Sequence, residues 1–403
     1  MPNTRLYPAH LEAIASALQQ IFLEGAYADR EISRVLKEDR KRGSKDRAFI
    51  AEQTYGVVRY YRLLTHLADL PNPRTREDFW RLTGAWLLLE GYDLPPWREF
   101  SDLNKATIDQ RLTAARGNRA LRESIPEWLD QTGLEQLGED WEATLSALNE
   151  QAPVVLRTNR LKTTVQDLQT VLSLDKVATE PIGEDALRVT ERQNLFRTRA
   201  FREGLFEVQD YSSQQAAPAL QVEPGQTVID ACAGAGGKSL HLAALMENRG
   251  QLLSLDIHDW KLKELKKRAR RNGVSNLETR AITSSKVIKR LTGRADRLLL
   301  DVPCSGLGVL RRNPDAKWKL SPDFIDRVVQ EQADILARYS RMVKEGGKMV
   351  YATCSVLPRE NERQVEAFLA GEAGRGWTLE HTHTYLPQNE GYDGFFVSRL
   401  VRG

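Results

Sequence analysis

Apolar positions recur every three or four residues through the first third of the chain. Leu11, Ile14, Leu18, Ile21 and Phe22 share one helical face; Ile32, Val35 and Leu36 repeat the spacing, as do Phe49, Gln53, Gly56 and Val57. Pro71-Asn72-Pro73 and Pro95-Pro96 break this pattern into short helices. The spacing predicts an all-α helical domain over residues 1–145. A small α+β module is predicted over 146–210, with strands at 154–159, 186–189 and 205–208 and a helix at 164–172 capped by Thr163 or Thr164. From 211 to 403 short apolar runs alternate with helical patterns. Strands are predicted at 227–230, 252–256, 297–301 and 348–351, a fainter one at 277–282, and a long helix at 323–343. Such alternation predicts an α/β Rossmann-like domain, a parallel sheet covered on both faces.

Composition narrows the class. The 403 residues include three cysteines without metal-ligand spacing, so neither a disulfide framework nor a metal site is expected. Met1-Pro2-Asn3-Thr4-Arg5 lacks the apolar core of a signal peptide, and no run approaches the ~20 apolar residues of a membrane span. A cytoplasmic monomer with no membrane partner is expected. Net charge is only +3, but residues 261–294 carry twelve Lys or Arg against Glu264 and Glu278, a local net of +10. Arg40, Lys41, Arg42, Lys45 and Arg47 form a smaller basic run. Both suit a polyanion, although the 261–271 run also reads as a solvated helix face.

The first strand of the α/β region ends in Asp230-Ala231-Cys232-Ala233-Gly234-Ala235-Gly236-Gly237-Lys238. Glycines there let backbone approach a ligand, and the next helix offers free N–H groups. Asp256, at the end of the second strand, can accept both hydroxyls of a ribose. The pair is a grip for a nucleoside cofactor; a turn that merely packs a helix on a sheet is the plainer reading. A P-loop ending in Gly237-Lys238-Ser239 would need glycine where Cys232 stands, and would leave Asp256 and the later cysteines without a role.

Those cysteines lie just past two more strands, in Asp301-Val302-Pro303-Cys304-Ser305-Gly306 and Tyr351-Ala352-Thr353-Cys354-Ser355. Strand ends of an open α/β sheet face the ligand crevice. Two thiols, Asp301 and Lys238 suit one reaction in particular. Carbon 5 of cytosine is a poor nucleophile, but a thiolate added to carbon 6 makes the ring an enamine that can attack an electrophilic methyl. An acid near N3 and a base for the carbon 5 proton complete the requirement. Nearby cations such as Lys238 favour the thiolate.

These runs, with Phe206-Glu-Val-Gln-Asp-Tyr-Ser-Ser-Gln214, Arg311-Arg-Asn-Pro-Asp315 and Asp393-Gly-Phe-Phe396, resemble the RsmB/Nop/Sun family of RNA cytosine-5 methyltransferases over 150–403. The resemblance implies a class I methyltransferase domain over 211–403, with S-adenosylmethionine held by Cys232, Ala233, Gly234, Ala235, Gly236, Gly237, Lys238 and Asp256. Cys354 would be the nucleophile and Cys304 would assist breakdown of the adduct. Asp301 and Lys238 would contact the cytosine, with Asp301 also beside the methionine part of the cofactor. Arg47-Ala-Phe-Ile-Ala-Glu-Gln-Thr-Tyr-Gly-Val-Val-Arg59 resembles the NusB-type RNA-binding domain of bacterial rRNA members, which points to small-subunit (16S) rRNA. A tRNA substrate, or a non-catalytic RNA-binding or assembly factor, are the alternatives.

The chain departs from the family in three places. Gly234-Ala235-Gly236 replaces Ala-Pro-Gly, Val302 replaces an alanine, and Ala281-Ile282-Thr283-Ser284-Ser285 lacks the carboxylate expected after the third strand, leaving Thr283 or Ser284 as substitute partners for the cofactor. For the RNA, phosphate contacts are expected from the 261–271 helix, Arg311, Arg312, Lys317, Lys319 and the 40–47 run. Trp318 reads equally as a base-stacking platform or a loop anchor.

Overall fold

The computed structural model describes residues 5–403; Met1–Thr4, read above against a signal peptide, lie outside the described residues. The chain forms two compact units. One holds the residues up to Glu150 together with Leu310–Pro322, the other Gln151–Val309 with Asp323–Gly403.

The first unit is helical. Helices Pro8–Leu23, Ala28–Glu38, Ser44–Arg59, Tyr61–Leu67 and Arg76–Leu89 bury the faces that the periodicity marks: Leu11, Ile14, Leu18 and Val35 are inaccessible to solvent. Gln53 occupies an apolar position because its Oε1 accepts the Trp86 indole N–H at 2.8 Å. Gly56 is required there, since a Cβ would lie 2.3 Å from the same indole. Pro71-Asn72-Pro73 falls between two helices, the second opened by a capping box of Thr75 and Asp78.

In the second unit, a small antiparallel sheet contains β1 (Val154–Thr158), β2 (Thr179–Pro181), β3 (Ala186–Val189) and β4 (Phe206–Val208), in the order β2-β3-β1-β4. Thr164 caps helix Val165–Leu174, which packs Leu168 and Leu172 against Leu156, Leu187 and Phe206.

A seven-stranded sheet follows: β5 (Thr227–Asp230), β6 (Gln251–Asp256), β7 (Leu277–Ala281), β8 (Ala295–Asp301), β9 (Val343–Thr353), β10 (Trp377–Tyr385) and β11 (Phe395–Arg402), ordered β10-β11-β9-β8-β5-β6-β7. β5 to β9 are parallel, whereas β11 runs antiparallel to β9 and to β10. The expected parallel sheet is present, extended at one edge by an antiparallel hairpin. The closing hairpin escapes a periodicity reading because most of β10 faces solvent and carries polar residues. Alternate residues of the central strands face two cores. Ile229, Leu298, Leu300, Met349 and Tyr351 meet Leu336 and Phe368 on one side; Val228, Leu299, Val350 and Ala352 meet Leu220, Leu242 and Met246 on the other. Both faces are dry, which is why these strands read as unbroken apolar runs. Strand order reverses between β5 and β8, so the crevice opens at their C-terminal ends.

Candidate active site

The turn after β5 is pinned by its own backbone. Ala231 N–H donates to Leu299 O and Ala233 N–H to Leu255 O, so the turn straddles β8 and β6. Gly236 sits at φ +86°, and a Cβ there would lie 1.9 Å from Leu265 Cδ1. The glycine therefore serves both the left-handed backbone and the close approach of helix Asp259–Asn272. Asp256 accepts Gly234 N–H on one carboxylate oxygen (2.8 Å) and His258 N–H on the other (2.7 Å), and lies 7% exposed at the rim of a cavity of about 360 Å³. Ala231, Cys232, Gly234, Asp256, Ile257, Ile282 and Asp301 line that cavity, closed on one side by Glu331, Asp334, Ile335, Arg338 and Tyr339 of helix Pro322–Tyr339. Its size falls in the range of small-molecule sites, and its mix of apolar wall and carboxylates suits a nucleoside that carries a cationic tail. Burial pushes the Cys232 thiol well above its ordinary value, so Cys232 lines the cavity as a neutral thiol.

The two other thiols meet beside this cavity. Cys304 Sγ and Cys354 Sγ are 3.1 Å apart, and both side chains are half-buried. The hydrogen bond to Cys354, and then burial, hold Cys304 well above the usual thiol value. Cys304 thus keeps its proton and is the natural donor of that bond. Lys238 Nζ donates to Asp301 Oδ2 at 2.7 Å and lies 5.1 Å from the Phe395 ring. Behind the thiols sits Glu360, with no solvent exposure, which accepts hydrogen bonds from Ser305, Ser355 and Gln332. Asn361 donates to Ser355 O at 3.0 Å and accepts the Thr353 hydroxyl. Gly308 and Gly394 meet backbone to backbone, and a Cβ on Gly308 would lie 2.1 Å from the Gly394 carbonyl. The Asp393-Gly-Phe-Phe run therefore seats the loop that carries Cys304.

The chain that carries these residues has counterparts among known proteins. The model of the 16S rRNA methyltransferase RsmB/F family matches residues 217–401, and that of the ferredoxin-like domain of RsmF/B-like methyltransferases matches residues 125–195. The chain is 31% identical to the probable ribosomal RNA small subunit methyltransferase B of Synechocystis sp., across 96% of this chain and 97% of that protein. The chain belongs to the RsmB/F family. Among solved structures, a methyltransferase homolog protein from Pyrococcus horikoshii is 27% identical with a TM-score of 0.63, covering 71% of this chain and 98% of that one. The structure of PH0851 covers 99% of this chain and 100% of its own, at 22% identity and a TM-score of 0.80, a likeness of fold. This RsmB/F protein is accordingly an S-adenosylmethionine-dependent RNA methyltransferase.

The site residues named from this RsmB/F sequence converge in part. Cys304, Cys354, Asp301 and Lys238 gather at the ends of β8 and β9 and the start of helix Gly237–Leu245, and Cys232, Gly234 and Asp256 face the cavity. Thr283 does not line the cavity; its neighbour Ile282 does, while Thr283 is solvent-exposed. Two further carboxylates line the cavity, Glu331 and Asp334, from a helix whose amphipathic pattern gave no sign of a ligand role. Glu360 and Asn361 were also missed. An acid and an amide among Pro358-Arg359-Glu360-Asn361-Glu362-Arg363 look like a surface turn, and only their burial marks them.

Several residues expected to meet phosphate are engaged elsewhere. Arg268 and Arg271 pair with buried Glu207, and Arg268 also donates to Ala235 O at 2.8 Å, bracing the glycine turn. Arg311 is buried with its guanidinium on Ala147 O, and Lys319 donates to Ala26 O and Asp315. Lys317 is 1% exposed, and burial lowers it well below the usual lysine value. Trp318 donates its indole N–H to Val58 O at 2.7 Å and packs edge-on against Tyr61, so the anchor reading of this residue is the one its contacts satisfy. Arg42 bonds the Val35 carbonyl and Arg47 the Leu36 carbonyl at the end of helix Ala28–Glu38, Arg47 also bonding Arg42 O, whereas Arg40, Lys41 and Lys45 are exposed.

Proposed function

We propose that this chain methylates carbon 5 of a cytosine in small-subunit ribosomal RNA through a transient bond between Cys354 Sγ and carbon 6 of the base. The observation that carries the reading is the pair of thiols 3.1 Å apart just past β8 and β9, with Asp301 at the end of β8 both lining the cavity and paired with Lys238. The substrate assignment is supported by the name of the Synechocystis relative.

Each residue has a task in that scheme. Asp256 would accept the ribose hydroxyls of the cofactor, and Gly234 and Asp301, which line the same cavity, would hold its amino-acid end. S-adenosylmethionine, when bound, supplies the electrophilic methyl. Cys354, as thiolate, adds to carbon 6 while the Lys238–Asp301 pair holds the N3 edge and passes the proton the two groups share to N3, neutralising the negative charge that develops there. Carbon 5 then takes the methyl. Cys304, still protonated and in contact with Cys354, is placed to assist the final elimination: carbon 5 gives its proton to a solvent base, the Cys354–carbon 6 bond breaks, and the Cys304 thiol donates a hydrogen bond to the departing Cys354 thiolate. The target base must be unstacked to reach sulfur atoms that are half-buried past the strand ends.

Bisulfite sequencing of ribosomal RNA from a strain lacking this protein tests the assignment. One 5-methylcytosine of the small-subunit RNA should disappear and return with the wild-type gene but not with Cys354→Ala. An unchanged pattern in ribosomal RNA, with a site lost from tRNA, contradicts it.

A further inference from the structure

Glu360 is an expensive residue in its place. A carboxylate with no solvent exposure is destabilising unless its oxygens are fully satisfied. Among the described residues no cation pairs with it; it is held by donors instead. One oxygen accepts the hydroxyls of Ser305 and Ser355, each at 2.5 Å, and the other accepts Ser305 N–H at 2.7 Å and Gln332 Nε2 at 3.1 Å. Its own carbonyl accepts the Tyr351 hydroxyl at 2.7 Å, which ties the turn back to β9. The two serines already approach each other at 3.2 Å and could bond without the acid. What the carboxylate adds is a single acceptor shared by the residues that directly follow the two cysteines.

We propose that Glu360 is a positioning residue for methyl transfer: by gripping the serine after each cysteine it fixes the separation of the two sulfurs on which release of the methylated base depends. The proposal rests on the two-thiol reading above and adds to it the element that registers one thiol loop against the other. β8 and β9 pair in parallel, with Asp301 opposite Ala352, so the strand register stops short of the cysteines; beyond it the two loops meet through Gly308 N–H on Cys354 O at 2.9 Å and through Glu360. Gln332 extends the same clamp to Pro303 O at 2.9 Å, directly before Cys304. The negative charge of Glu360 also adds to the hydrogen bond and burial that keep Cys304 protonated.

The test compares full-length wild type, Glu360→Ala, Glu360→Gln and Cys304→Ala, with tritiated S-adenosylmethionine and an unmethylated small-subunit RNA transcript. Turnover, KM for RNA and the fraction of protein running as an RNA adduct on a denaturing gel are measured together. In Glu360→Ala, kcat should fall by about tenfold or more with KM for RNA within about threefold, and the adduct fraction should rise towards that of Cys304→Ala. Glu360→Gln should fall between, because serine hydroxyls can reverse and accept from the new amide. A general loss of stability would lower active protein without raising the adduct fraction. If Glu360→Ala does not fold, the near-isosteric Gln variant carries the same test. Adduct in Cys304→Ala, with wild-type turnover and no added adduct in the Glu360 variants, overturns this proposal alone. No adduct in Cys304→Ala overturns the two-thiol reading, and this proposal with it.

Discussion

At the scale of single residues, the two thiols are unequal. Cys304 is held in its protonated form by its contact with Cys354 and by burial, so the two sulfurs are not interchangeable despite their proximity. Cys354→Ala should abolish methyl transfer and leave no adduct, while Cys304→Ala should leave a covalent RNA–protein species that survives a denaturing gel. Equal behaviour of the two variants would contradict the division of labour. Asp301→Asn, which weakens the Lys238 pair without changing shape, should lower kcat by roughly 10²-fold or more, as expected of a group that supports proton and charge movement in the transition state. A single-turnover assay at saturating RNA reads this directly. The Pro-Cys and Thr-Cys runs were legible because thiols at strand ends are rare, and the supporting Glu360 was not, because nothing in a run of charged residues reveals which one is buried.

At the scale of elements, the glycine turn and the helix behind it carry the strain. Gly236→Ala forces a Cβ into Leu265 at a backbone angle that favours glycine, and should cost about 2–3 kcal/mol in urea unfolding while weakening S-adenosylmethionine binding. Wild-type stability and affinity in that variant would remove the close approach from the account. Helix Gly237–Leu245 also buries His241, 2% exposed, and burial lowers it to about 4 although Asp185 lies 3.5 Å away. The unfolded chain takes up this proton first, so the contribution of neutral His241 to stability is lost as pH falls from about 6.5 towards 4. Asp230 acts with the opposite sign. Burial pushes its carboxyl up to about 7, so the folded state gains a proton in an overlapping window and stability rises as pH falls. Thermal melts between pH 7.5 and 5 should therefore fall more steeply with pH in Asp230→Asn and less steeply in His241→Leu; identical slopes in the two variants would contradict both assignments. The parallel strands were legible for the reason that makes them stable, burial on both faces. The β10–β11 hairpin was not, because an edge strand facing solvent carries no apolar period.

At the scale of the whole molecule, charge pattern proved a poorer guide than strand position. A basic run in sequence does not say which cations point outward, and Arg268, Arg271, Arg311 and Lys317 spend theirs on internal partners or in the core. Lys263, Lys266, Lys267 and Arg270 remain exposed on helix Asp259–Asn272. Replacing these four with alanine should weaken RNA binding and reduce the slope of log affinity against log salt by up to about four, as measured by filter binding across a salt series. Lys317→Met should leave that slope unchanged, because a buried side chain meets no phosphate. The chemistry itself is best tested with a small-subunit RNA transcript in which cytosine carries fluorine at carbon 5, so that the last elimination cannot occur. Incubated with the protein and S-adenosylmethionine, then digested and analysed by mass spectrometry, it should yield a methylated fluorocytosine bonded to the peptide that contains Cys354. A bond mapped to another residue, or full methylation of ordinary transcript by Cys354→Ala, would contradict the account.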